Sequence, residues 1–189
     1  IGHMLFLINL KNQNRTLVYD FDEKIWHEWS SYISGGTLNE FRCDHTADDG
    51  SGYVYMLDRE NGSIYKLDPD YYHDDYLAES PPPSWVYADT AITVLIRTNK
   101  IDMDSYNRKF MSAIEIVGDR YETGNKVLLS WSDDDYQTWS TPIEIKLTDD
   151  FPSHPRLGSF RRRAFQISHT EDYPLRLEAL EITYDEGIS

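Results

Sequence analysis

No stretch of this chain carries the helical period of apolar residues. Almost every periodic segment alternates with period two, which lays successive side chains on opposite faces of an extended strand. The first such runs are Leu5–Leu10, Thr16–Phe21, Trp26–Trp29, Phe41–Cys43, Tyr53–Leu57 and Ser63–Leu67. Later ones are Ile92–Ile96, Phe110–Val117, Val127–Trp131, Ile143–Leu147, Ser159–Ser168 and Leu175–Tyr184. An aromatic content of 14% favours strands further. With 189 residues, 40% of them hydrophobic, the chain is long enough for one sizeable core or two small ones. The expected fold class is all-β.

Punctuation divides the strands into regions. Ile1-Gly2-His3-Met4 reads as a cloning remnant, so 1–4 and His3 stay out of any site argument. Residues 5–79 read as propeller-blade-like. Leu17–Asp22 aligns with Tyr53–Asp58 at an offset of 36, each followed by a turn and a strand bearing an aromatic, Trp26 or Tyr65. Asn61-Gly62 is a strong hairpin turn between two of these strands. Two blades cannot close a ring of at least about four, so the other blades would lie upstream of a chain that starts in mid-strand. An acidic boundary follows at Asp68–Asp75, then a stiff Pro-rich linker, 80–91, containing Ser80-Pro81-Pro82-Pro83. Residues 92–189 supply six closely spaced strands and read as an antiparallel β-sandwich-like domain. In its last strand the apolar parity switches between Leu177 and Leu180, which predicts a bulge near Ala179.

Between Val127–Trp131 and Ile143–Leu147 lies Ser132-Asp133-Asp134-Asp135-Tyr136-Gln137-Thr138-Trp139. This stretch resembles an Asp-box, the Ser-x-Asp-x-Gly-x-Thr-Trp hairpin of sialidases, other β-propellers and many phage tail proteins. Ser132, Asp134, Thr138 and Trp139 fall on the pattern, while Tyr136 stands where it prefers glycine. Short polar side chains here can bond neighbouring amides and hold a turn. Trp139 is expected to fold back on the hairpin, its indole N–H needing a partner. The role expected is structural. Three aspartates without a following ligand cluster are weak grounds for calcium, so no metal is assigned.

Charge and motif content narrow the function. The formal charge is −15, which repels nucleic-acid phosphates and acidic lipids unless the few basic residues are gathered. No segment approaches the roughly 18 apolar residues of a membrane span. Cys43 is the one cysteine, excludes an internal disulfide, and reads as a partly buried strand residue despite His45 nearby. His73 among aspartates matches no ligand spacing. A Gly-rich phosphate loop, a nucleophile elbow, His-Glu-x-x-His and paired cysteines are all lacking, and a glycosidase carboxylate pair cannot be singled out. The chain is expected not to be an enzyme and to need no cofactor. The basic cluster, Arg161, Arg162 and Arg163, is a candidate interface, with a cross-strand charge ladder as the structural alternative. On a continuous strand Arg161 and Arg163 would face one way and Arg162 the other. A rival class is a glycan-binding module using Trp85 and Tyr87, or Tyr71-Tyr72, as stacking platforms.

One family resemblance runs along most of the chain. It is carried by Leu17-Val18-Tyr19-Asp20 with Trp26 and Trp29, by Gly62–Leu67, by Ser132–Ser140, by Arg156–Phe165 and by Leu175–Leu180. In this order they resemble the carboxyl-terminal region of packaged-DNA stabilisation proteins, the tail accessory or nozzle proteins of short-tailed phages. The resemblance implies a virion component made in the host cytoplasm, with an upstream propeller, assembled as a homo-oligomeric ring of six below the portal adaptor. It would extend the exit channel, receive the tail needle or plug, and stabilise packaged DNA without binding a particular nucleic-acid sequence. An acidic surface toward such a channel would let DNA slide. No catalytic residue is implied.

Overall fold

Period-two alternation becomes antiparallel strand throughout the computed structural model, which describes residues 3–33, 37–59, 62–68, 70–78, 86–120 and 123–188. No helix among the described residues is long and apolar enough to cross a membrane. The chain divides into two compact units, residues 1–90 and 91–189.

In the first unit, β1 (Leu5–Leu10), β2 (Arg15–Asp20), β3 (Ile25–Ile33) and β4 (Thr37–Glu40) form a four-stranded sheet in chain order. A three-stranded sheet follows in the same manner: β5 (Cys43–Asp48), β6 (Val54–Asp58) and β7 (Ile64–Leu67). Then β8 (His73–Ala78) pairs with β9 (Val86–Ala91). Two readings change here. The acidic boundary expected over Asp68–Asp75 turns into strand at His73, and the second half of the expected linker is β9. The prolines of that linker lie outside the described residues.

The two meanders are copies of one pattern, in a register different from the sequence alignment. Leu5 to Cys43, Asp20 to Asp58 and Lys24 to Gly62 are each 38 positions apart, against the 36 expected. Asp20 and Asp58 both end a central strand and are both buried. Each leads into a four-residue loop, closed by Asp20 opposite Ile25 in one and by the Asp58 N–H donating to the Ser63 carbonyl at 2.8 Å in the other. The last loop residue is left-handed in both, Lys24 at φ 59° and Gly62 at φ 72°. Offsets of 36 and 38 are both even, so alternation fits either one, and the apolar pattern alone could not choose.

Among the described residues, most of those buried in this unit are polar. Val18, Cys43 and Met56 are its buried apolar residues among those described, beside Thr16, Asp20, Ser31, Glu40 and Asp58. Pairing slips by one between Cys43 and His45, leaving Asp44 as the extra residue of a bulge. Bulging aims Asp44 at the first sheet, where Asn9 Nδ2 donates to it at 2.7 Å. Thr16 Oγ1 donates to Asn9 Oδ1 at 2.6 Å and accepts from the Phe41 N–H at 3.0 Å. Arg59 closes the set, donating to Asp44 at 2.9 Å and pairing with Glu40. Burial alone would push the Asp44 carboxyl up, but Arg59 and Lys11 more than offset this and hold it low.

The second unit stacks two antiparallel sheets in a sandwich-like arrangement. One has the order β10 (Val94–Arg97), β16 (Ala164–His169), β12 (Lys126–Ser132), β13 (Ile143–Lys146). In the other, β11 (Lys109–Gly118) is flanked by β14 (Ser153–Pro155), β15 (Ser159–Phe160) and β17 (Leu177–Glu186). Their inward residues form one apolar cluster that includes Ile114, Ile116, Val127, Leu129, Ile145 and Phe165. The bulge expected near Ala179 falls at Glu178, since Val117 pairs with Ala179 but Gly118 with Leu177.

The expected single strand Ser159–Ser168 is broken. β15 belongs to one sheet and β16 to the other, so Arg161–Arg163 occupy the crossing between them. Arg163 there makes an isolated bridge to Ile101, its N–H donating at 3.1 Å and its carbonyl accepting at 2.8 Å. The alternate up-and-down placement of the three arginines is therefore replaced by a corner.

Candidate functional site

The turn between β12 and β13 is organised by Asp134. Its Oδ1 accepts from Ser132 Oγ at 2.8 Å and from the Thr138 N–H at 2.9 Å, and its Oδ2 accepts from Thr138 Oγ1 at 2.6 Å. Ser132 is buried and accepts from the Tyr136 N–H at 3.0 Å. The hydrogen bonds from Thr138, then the one from Ser132, favour the carboxylate and bring Asp134 down to about 2. Asp135 and Tyr136 both take left-handed backbone, at φ 60° and 69°. That conformation is why glycine suits the fifth position, and Tyr136 occupies it under strain. Its hydroxyl donates to the Thr98 carbonyl at 3.2 Å.

Trp139 returns toward the hairpin, partly buried, with the Arg97 guanidinium 5.4 Å from its ring and Tyr136 tilted against it. Its indole N–H has no protein acceptor among the described residues. Trp131 and Trp139, with Asp133, Asp134, Thr138 and Ser140, line an open hollow of about 280 Å³.

The three aspartates do not converge on a common point. Asp134 is used within the turn. Asp135 faces Lys100 at 2.9 Å and Arg162 at 3.6 Å, and the Lys100 hydrogen bond lowers its pKa. Asp133 meets Arg163 in a fork, with Nε to Oδ1 and Nη2 to Oδ2 both 2.7 Å. The Arg163 Nη1 donates to the Leu157 carbonyl at 2.7 Å, and the guanidinium lies over the Phe160 and Trp131 rings at 4.5 and 5.3 Å. Among the described residues, the one group with metal-ligand proximity is His3, Asp20 and Asp22, where His3 Nδ1 stands 2.7 Å from Asp20 Oδ2. Backbone N–H groups of Asp22, Glu23 and Met4 already bond these two carboxylates.

The candidate interface of three arginines is thus divided. Arg163 is 2% exposed and unavailable to a partner. It is buried because the chain passes between sheets at this point, which sequence spacing does not reveal. Arg162 is exposed and faces Asp135. Arg161 is exposed, and its Nη1 donates to the Tyr106 carbonyl at 2.9 Å. Sequence reasoning did not single out Arg108, which lines a second hollow together with Arg161. Of the glycan platforms, Trp85 lies outside the described residues. Tyr87 falls within β9, but its side chain also lies outside them. Tyr71 is exposed and packs edge-on to His73. Cys43 is buried at the start of β5.

The chain matches no known family model and no curated protein.

Proposed function

We propose that this chain is a structural part of a short-tailed phage virion, in the manner of the packaged-DNA stabilisation proteins. It would act through protein–protein assembly rather than catalysis. The observation that carries the reading is the fork between Asp133 and Arg163. The Asp-box-like turn and the arginine run are the two most telling stretches of the resemblance, and here they form one hydrogen-bonded unit. The 38-residue repeat of meanders supports reading unit 1 as successive propeller blades, each ending its second strand in a buried aspartate. In this reading the partners are further copies in a ring, the portal adaptor and the tail needle or plug, and the chain binds no cofactor. The charge of −15 fits a part that lets DNA pass without gripping it.

Mass spectrometry of purified particles from the encoding phage tests the role. Peptides of this chain should be present and remain after nuclease and salt washing, and their absence from intact particles would sink the proposal. A gel-shift assay adds an independent check, since duplex DNA retained at physiological salt would contradict the sliding role.

One observation favours a second reading, a glycan-binding module. The hollow lined by Trp131 and Trp139 sets two indole rings beside carboxylate and hydroxyl groups, residue types that suit a sugar ring. Glycan-array binding that disappears in Trp139→Ala would favour it over the tail role.

A further inference from the structure

Among the described residues, Arg97, Arg108, Arg156 and Arg161 are the arginines with no carboxylate within ion-pair reach, and of these Arg108 and Arg161 stand together. Both line the same hollow of about 210 Å³, whose other walls are Phe110, Gly187 and Ile188. Each guanidinium is held by one hydrogen bond: Arg108 Nη1 donates to Ser159 Oγ at 3.0 Å, and Arg161 Nη1 to the Tyr106 carbonyl at 2.9 Å. An arginine has five N–H donors, so most of each fork stays free while its position is fixed. The nearby acidic groups do not fill the need. Glu186 accepts from Ser105 Oγ. Asp185, cross-strand from Phe110, makes an ion pair with neither arginine. The backbone secures the floor, where the Gly187 N–H donates to the Arg108 carbonyl at 2.8 Å. Around the cations the surface is apolar, since Tyr106, Phe110 and Ile188 are all exposed.

We propose that this hollow binds an organic carboxylate whose neighbouring group is aryl or alkyl. Two planar guanidinium forks match the two oxygens of a carboxylate, and such charge-assisted, bidentate contacts are the stronger class of hydrogen bond. Phe110 and Ile188 supply the apolar wall that a bare inorganic anion would not use. Exposed arginine beside exposed aromatic residues is also the composition of binding hot spots. The carboxylate could be a small free acid or an aspartate or glutamate beside an aromatic residue in a peptide. The site does not depend on the virion reading.

The test is a titration of the whole chain followed by amide and arginine Nε NMR signals. Four probes are compared: N-acetylphenylalaninate, the peptide acetyl-Phe-Asp-amide, neutral N-acetylphenylalanine amide, and inorganic phosphate. Saturable shifts at Arg108, Arg161 and Gly187 are expected with at least one carboxylate probe, and which of the two binds tells free acid from peptide. The neutral amide and phosphate should bind at least tenfold more weakly. Arg108→Gln and Arg161→Gln should each weaken the carboxylate at least tenfold, while Arg162→Gln leaves it unchanged. Both arginines are exposed, and an unchanged amide spectrum in each variant would establish that it is folded. Failure of both carboxylates to saturate, equal binding of the neutral amide or phosphate, or indifference to both substitutions would overturn the proposal.

Discussion

Arg163 and Asp133 lie 30 positions apart, yet one is 2% exposed and the other opens to solvent. A guanidinium placed there is tolerable because every face is used: a carboxylate fork, a carbonyl and two aromatic rings. Removing the carboxylate leaves a buried cation without its counter-charge, which costs about 3 kcal/mol. Asp133→Ala should therefore lower the unfolding free energy by about that amount in urea titration, and Arg162→Ala by well under 1 kcal/mol. Equal effects of the two would contradict the assignment. The Ser132–Thr138 pattern was readable in advance because its bonds span only a few residues. Arg163 was not, because its burial comes from a sheet crossing that leaves no periodic trace.

Elements repeat with more fidelity than their sequences. The loop after Asp20 and the loop after Asp58 put Lys24 and Gly62 in the same left-handed conformation. An L-residue is strained there and glycine is not. Lys24→Gly should stabilise the first hairpin by about 0.5–1 kcal/mol, and Gly62→Ala should destabilise the second by about 1 kcal/mol. Opposite signs in thermal unfolding would be the mark of equivalent positions, and matching signs would break the equivalence. Strand existence was legible from alternation, as was the slip near Ala179. Repeat register was not, because parity cannot distinguish two even offsets. Nor was the corner at Arg161–Arg163, where the polar run kept strand-like spacing across a change of sheet.

At the scale of the molecule, the described residues of the two units bury different chemistry. Unit 2 closes on aliphatic and aromatic side chains, and among its buried polar groups His169 Nε2 meets Asn125 Oδ1 at 2.7 Å. Burial lowers the pKa of His169 below its ordinary 6.5, with Glu171 opposing. The folded chain therefore resists a proton that the unfolded chain accepts. Stability from this group is whole above pH 6.5 and declines as the pH falls below it, by at most about 1.4 kcal/mol per pH unit. Urea midpoints at pH 7.5, 6.5 and 5.5 should show that decline in the native chain and a flatter profile in His169→Gln. Identical profiles would contradict the role. The charge of −15 was plain in the composition, but how apolar and polar buried residues divide between the units, among those described, emerged only with the topology.

Unit 1, by contrast, joins Asn9, Thr16, Asp44, Arg59 and Glu40 through bonds to particular neighbours, with one Glu40 oxygen left buried without a hydrogen bond. Directional bonds of this kind are not additive, since one replacement strands the groups it served. An aliphatic interior accepts exchanges of shape one at a time. The two halves of the chain should consequently diverge in different ways over evolutionary time. Unit 2 is free to drift residue by residue, whereas the polar centre of unit 1 has either to stay intact or to be replaced as a set. Among distant kin, covariation of Asn9, Thr16, Asp44 and Arg59 would be an older and fainter signature of common descent than any similarity in the strands around them.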